Sequence, residues 1–134
     1  KHIAQSQAFK EKQVEAVQNY FRIAVKPLFH NQHLAEKLDL TLGKKTVKNQ
    51  SQVNQLLFEE TRNFNIYDEL SIIKCPTLIV HGDSDPLPDE APLKIHQHIS
   101  QSKFVTLKQA GHFMFIESPD ELFSTIRSFL KDNK

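Results

Sequence analysis

After Pro76 the chain runs Thr77-Leu78-Ile79-Val80 and then breaks into His81-Gly82-Asp83-Ser84-Asp85-Pro86. A short continuous apolar run rich in β-branched residues suits a strand covered on both faces, as in a parallel sheet. The segment after it is dense in turn residues. A helical pattern follows over about residues 90–99, with Ala91, Leu93, Ile95 and Ile99 as its apolar positions. Next come an alternating strand, Lys103-Phe104-Val105-Thr106-Leu107, and a loop, Lys108-Gln109-Ala110-Gly111-His112. Ser118-Pro119-Asp120-Glu121 has the form of a capping box with proline at the first helical position. It opens a helix with the apolar stripe Leu122, Phe123, Ile126, Phe129 and Leu130. The order strand, helix, strand, helix predicts a right-handed parallel crossover, and the fold class is α/β.

The first half differs in character. It is polar, rich in Gln and Asn, and helical in pattern. Phe9, Val14, Val17, Phe21 and Val25 suit one face of a single helix that Pro27 perturbs or ends. A shorter helix is expected over residues 34–38, a break at Leu40-Thr41-Leu42-Gly43, and a third helix over residues 51–61 whose faces are set by Val53, Leu56 and Leu57. The opening residues, Lys1-His2-Ile3-Ala4-Gln5, read as the interior of a helix and lack the apolar stretch of a signal peptide. The expectation is that the chain is a piece of something longer.

Charge excludes some functions. A net charge of +1 with 25% charged residues gives no general attraction to nucleic acid or to an anionic membrane. Lys44, Lys45 and Lys48 form the one basic cluster and read as a solvated face. No apolar run approaches the roughly 20 residues of a membrane span. The single cysteine, Cys75, rules out an intramolecular disulfide, which points to a reducing cytoplasm, and it reads as buried filler.

In open parallel sheets, ligand sites lie beyond the carboxyl ends of the strands. The first loop places Asp83 and Asp85 there, and the second places His112 there, behind a flexible Ala110-Gly111 pair. A carboxylate and an imidazole on neighbouring strand ends can meet by a hydrogen bond that fixes the ring tautomer and stabilises its cation. Plainer readings stand beside this one. Asp85 is also a natural turn residue before Pro86, and Asp83 reads as a loop-stabilising acceptor. His81, Asp83, Asp85 and His112 are good metal ligands by type, but their spacing matches no closed metal motif. His96 and His98 read as surface residues, and His30 and His33 as a pair that could share a face. Phe113, Met114 and Phe115 either line a pocket or, the favoured reading, pack under the last helix.

The stretch Ile73-Lys74-Cys75-Pro76-Thr77-Leu78-Ile79-Val80-His81-Gly82-Asp83-Ser84-Asp85 resembles the penultimate strand and acid loop of the α/β-hydrolase superfamily. Ala110-Gly111-His112, followed by Phe115, Glu117, Ser118 and Pro119, resembles its histidine loop and last helix. The two matches lie in the family's order, with acid and histidine about 27 residues apart. The resemblance covers residues from about 70 to 131. It implies the C-terminal portion of an α/β-hydrolase fold: a helical cap or lid over residues 1–70 and a parallel strand-helix-strand-helix part of the core over residues 71–134. It also implies a Ser-His-Asp triad in which Asp85, three residues after the loop glycine, is the acid and His112 the base, with no metal and no organic cofactor. The nucleophile elbow G-x-S-x-G is absent: no serine here sits between two glycines. The implied serine therefore lies upstream, and the chain alone is expected to be inactive.

The implied substrates are small esters or short peptides, and within the superfamily the tail resembles proline-iminopeptidase-like hydrolases. Neither nucleic acid nor membrane is an expected partner. Two buried-type strands cannot cover their own apolar faces, so self-association or pairing with the upstream part is expected. The competing reading is a non-catalytic interaction module that retains the fold.

Overall fold

A computed structural model describes residues 2–133. Lys1, expected inside a helix, and Lys134, at the end of the expected core segment, lie outside the described residues. The chain divides into two compact units, each drawn from two stretches: residues up to 26 with 38–64, and residues 27–37 with those from 65 onward.

The first unit is helical. It holds α1 (His2–Gln5), α2 (Gln7–Lys10), α3 (Val14–Ala24) and α4 (Lys44–Thr61). The single helix expected from Phe9 to Val25 is thus interrupted. Lys12 adopts a left-handed backbone with φ of 57°. The Gln13 N–H then reaches Ala8 O at 2.9 Å and the Lys12 N–H reaches Phe9 O at 3.0 Å. This paired pattern closes a helix end and is usually built on glycine, so a lysine there hides the stop. Phe9 consequently lies on α2, where its ring meets Tyr20 of α3 at 4.9 Å. In α3, Glu15 sits in the first turn and Arg22 in the last, both favourable to the helix dipole.

The α4 helix starts seven residues earlier than expected. Gly43 precedes it, and Lys44 and Lys45 occupy a first turn that contains no acidic residue. Positive charge at a helix N-terminus opposes the dipole, so no ordinary start signal marks it. Among the described side chains of α4, Val47 is buried, at 3% exposure, while Val53, Leu56 and Leu57 remain about half exposed. Lys44, Lys45 and Lys48 are solvent-exposed.

The second unit carries the sheet. Pro27 falls in a 3₁₀ turn, Lys26–Leu28, directly after α3. A second 3₁₀ segment, Gln32–Lys37, replaces the helix expected at 34–38, and a third, Tyr67–Ile72, had no clear periodic signal. The strands are β1 (Thr77–Gly82) and β2 (Ser102–Leu107), joined through α5 (Glu90–His98). They pair in parallel, with Thr77 opposite Ser102 and Gly82 opposite Leu107. Then come α6 (Met114–Glu117) and α7 (Pro119–Asp132).

Leu107, Ala110 and Leu122 form the buried centre, with Val80, Val105, Met114 and Ile126 packed around it. Burying a side chain such as Leu107 contributes about 1.5–3 kcal/mol. Only part of the α7 stripe is used: Leu122 is buried, but Phe123 and Leu130 are largely exposed.

Three further expectations are corrected here. Ser118 makes no side-chain cap, and its ψ of 54° departs from the extended backbone of a capping residue. It is bound into the end of α6 instead, its N–H donating to Met114 O at 2.8 Å. Cys75 is exposed rather than buried, because the strand begins only at Thr77. His96 and His98 are half-buried. His96 Nδ1 lies 2.7 Å from Ser102 Oγ, and the His98 ring lies 5.7 Å from Tyr67.

The register brings the ends of β1 and β2 into direct contact at Gly82. A Cβ there would collide with Ala110 O, Gly111 O and Ala110 C. Backbone atoms cannot swing aside as a flexible side chain can. Gly82→Ala is expected to destabilise the protein by about 3 kcal/mol, the upper end for overpacking, read as a lowered denaturant midpoint.

Candidate active site

The turn after β1 is stitched to the turn after β2 by main-chain bonds. The Asp83 N–H donates to Leu107 O and the Ser84 N–H to Ala110 O, each at 2.9 Å. This fixes where Asp85 can stand. Its side chain is only 4% exposed, and its two oxygens divide the work. Oδ1 accepts the Leu87 N–H at 2.9 Å, the bond expected of a turn residue. Oδ2 lies 3.0 Å from His112 Nδ1. The turn reading and the chemical reading of Asp85 are therefore both satisfied, one by each oxygen.

His112 is reached through a tightly held loop. Gln109 takes the left-handed backbone, with φ of 52°, and Ala110 is fully buried. The Gly111 N–H donates to Glu117 Oε2 at 2.6 Å, and the His112 N–H donates to Leu28 O at 2.8 Å. The pair expected to be flexible is instead packed and bonded on both sides. Phe113 stacks on Phe29 at 4.7 Å and meets the His112 ring edge-on at 5.4 Å. Phe113 is thus not simply packed under the last helix, whereas Met114 does join the core beside Leu122. Phe115 is half exposed.

An ionised carboxylate can only accept, so its partner on the ring must be Nδ1–H. The lone pair then falls on Nε2, and the His112 side chain is 44% exposed. Such a ring can take a proton at Nε2 while the buried carboxylate stabilises the cation.

The neighbouring groups are accounted for differently. Desolvation pushes the Asp83 carboxyl up. The Ser84 hydroxyl, the backbone N–H groups of Gln109 and Ala110, and the Lys108 ammonium outweigh it and hold the group below its ordinary value. The Lys108 ammonium lies 3.6 Å away. Asp83 is thus a loop-stabilising acceptor. His81 is buried; its Nδ1 lies 4.0 Å from Asp85 Oδ2 and its Nε2 lies 3.0 Å from Asp89 Oδ1. The second approach is within ion-pair distance but lacks the alignment of a hydrogen bond. His30 Nδ1 lies 2.8 Å from Ser84 Oγ, whose hydroxyl donates to Asp83 Oδ1 at 3.1 Å. Among the described residues, no three His, Cys, Asp or Glu side chains gather as a metal site. Nor is any helix among them long and apolar enough to cross a membrane.

A family model for the alpha/beta hydrolase fold matches residues 7–119. The chain belongs to the α/β-hydrolase fold family. Proline iminopeptidase of Lactobacillus acidophilus is 30% identical over 71 residues, covering 53% of this chain and 24% of that protein. Proline iminopeptidase of Thermoplasma volcanium is 31% identical over 72 residues, covering 54% and 24% respectively. The AB hydrolase superfamily protein YisY of Bacillus subtilis is 35% identical over 69 residues, covering 51% and 26%. The chain thus spans about a quarter of the length of the curated relatives it matches. No solved structure gives a significant match.

Within this α/β-hydrolase part, sequence reasoning named Asp85 and His112 and missed what surrounds them. Residues 28–31 touch both loops from far away in sequence, and only a tertiary contact reveals that. Glu117 was visible in the motif but carried no assigned contact.

The depressed Asp83 pKa gives a testable pH dependence. A carboxyl whose folded value lies below its ordinary 3.8 adds stability that is fully present above that pH and is lost as pH falls through the folded value. Asp83→Asn is expected to melt below the wild type at pH 7, with the gap closing on acidification beneath pH 3.8. Thermal melts across that range check it; a gap that stays constant would contradict the assignment.

Proposed function

We propose that this chain is the acid- and histidine-bearing part of a serine-type α/β-hydrolase that cleaves esters or amides by a Ser-His-Asp triad. The observation that carries the reading is the 3.0 Å contact between His112 Nδ1 and the buried Asp85 carboxylate, at the carboxyl ends of two parallel strands. Residues 1–70 supply the cap or lid that shapes the substrate pocket, apart from 27–37 and those from 65 onward, which belong to the unit that carries the sheet. Residues 71–134 are the C-terminal part of the core. The nucleophile, a serine on a G-x-S-x-G turn, lies outside these residues.

In this reading the serine hydroxyl attacks the substrate carbonyl while His112 Nε2 takes its proton. Asp85 holds the ring in the Nδ1–H tautomer and stabilises the imidazolium. His112 next gives the proton to the leaving alcohol or amine, and an acyl-enzyme remains. Water, deprotonated by His112, attacks the acyl carbon and releases the acid, and the proton returns to serine. The scheme calls on no metal or organic cofactor. Several similar proteins are proline iminopeptidases, so peptides with an N-terminal proline are the finer substrate class to test, beside short acyl esters. The open sheet supports pairing with the upstream part of the protein or with a second copy, and the lone cysteine supports a cytoplasmic setting.

The test is turnover by the full-length protein. His112→Ala is expected to lower kcat on the order of 10⁶-fold. Asp85→Asn should lower it about 10⁴-fold while the fold survives, because the ring loses its tautomer. A fluorophosphonate probe should label the full-length protein at serine. Wild-type rates in both variants would remove the triad assignment.

A further inference from the structure

Glu117 does not touch the Asp85–His112 pair, yet its carboxylate joins the two segments on which His112 rests. Oε2 accepts the Gly111 N–H at 2.6 Å, one residue before His112. Oε1 accepts the Asn31 N–H at 2.8 Å. Residues 28–31 then return to the histidine: Leu28 O accepts the His112 N–H, and the buried Phe29 stacks on Phe113. These bonds close a ring from Glu117 through Gly111, His112, Leu28 and Asn31 back to Glu117. The same strap reaches the acid loop where His30 meets Ser84. The ring leaves no slack, since a Cβ at Gly111 would meet Leu28 O, His30 N and Glu117 Oε2.

We propose that Glu117 is a positioning residue: its two oxygens pin the histidine loop to the strap at 28–31, which sets where His112 meets Asp85. The proposal rests on the triad reading above and adds a second carboxylate to it, one that acts through main-chain N–H groups. The chemistry favours glutamate specifically. An ionised carboxylate accepts both bonds, and such charge-assisted bonds are short and strong. Glutamine of the same shape can accept only one; its NH₂ would face the other N–H, donor against donor. The loop would then shift at one of its two ties, and small misplacements of a reacting group are costly to rate.

The experiment compares Glu117→Gln and wild type in the full-length protein, with active sites counted by fluorophosphonate titration. The expected result is a kcat per titrated site lowered about 100-fold on short acyl esters, KM near the wild-type value, and a melting temperature within a few degrees. The low-field Nδ1–H resonance of His112 is expected to shift or broaden. Wild-type kcat per site overturns the proposal. So does a loss confined to the number of titratable sites, since that reports unfolding alone. Should the variant not fold, hydrogen exchange in the wild type decides: Gly111 and Asn31 amides are expected to be protected, and exchange of either at the rate of a free amide overturns it. His112→Ala separates the two readings. If it is fully active, the triad itself falls; if it is dead while Glu117→Gln behaves as wild type, only the positioning role falls.

Discussion

The parallel register of β1 and β2 ends both strands at one level, Gly82 opposite Leu107, and the site is built on that coincidence. Parallel strands run the same way, so both following turns emerge at the same edge and can bond to each other. The carbonyls of Leu107 and Ala110 accept the N–H groups of the acid loop, and both residues are also the fully buried centre of the core. The packing that stabilises this unit is therefore the packing that aims Asp85. Loosening one would loosen the other, since interiors at crystal-like density transmit small displacements rather than absorb them.

Polar groups near the site follow a consistent logic. The carboxylate that faces His112 is nearly excluded from water, and its second oxygen is satisfied by a main-chain N–H. Asp83, two residues earlier, lies in an exposed turn, where local donors favour its ionised form. Two aspartates of one short loop thus have separate environments: the buried one faces the imidazole, and the exposed one is bound into the turn.

How much of this could be read beforehand depended on whether the signal was local. The run at Thr77 to Val80 announced a strand by composition alone, although those four residues are only half-buried in it, and the loop residues around Asp85 and His112 announced that the two side chains could meet at the sheet edge. The helical first half was harder. Its interruption sits on Lys12, a residue type that carries no stop signal, and the start of α4 is masked by Lys44 and Lys45 in the turn where acids belong. At Ser118 a proper capping pattern was overridden because the short α6 helix had already claimed its backbone. Cys75 was misjudged because it directly precedes the strand proline, Pro76, while the strand itself starts two residues later. Glu117 illustrates the deeper limit: the residue was in plain view, but its meaning lies in a partner that only the folded chain brings near.

That distance has a kinetic side. The Asn31–Glu117 bond spans 86 residues, whereas Asp85 finds the Leu87 N–H two residues away. Closing a long loop is entropically harder than closing a short one, and contacts of high sequence separation are slow to form. During synthesis the Asp85–Leu87 bond can form as soon as both residues leave the ribosome, but the strap can lock only after α6 has emerged. The His112 loop is therefore tied down on both sides only late in assembly, after Leu107 and Ala110 have become available to stitch the acid loop.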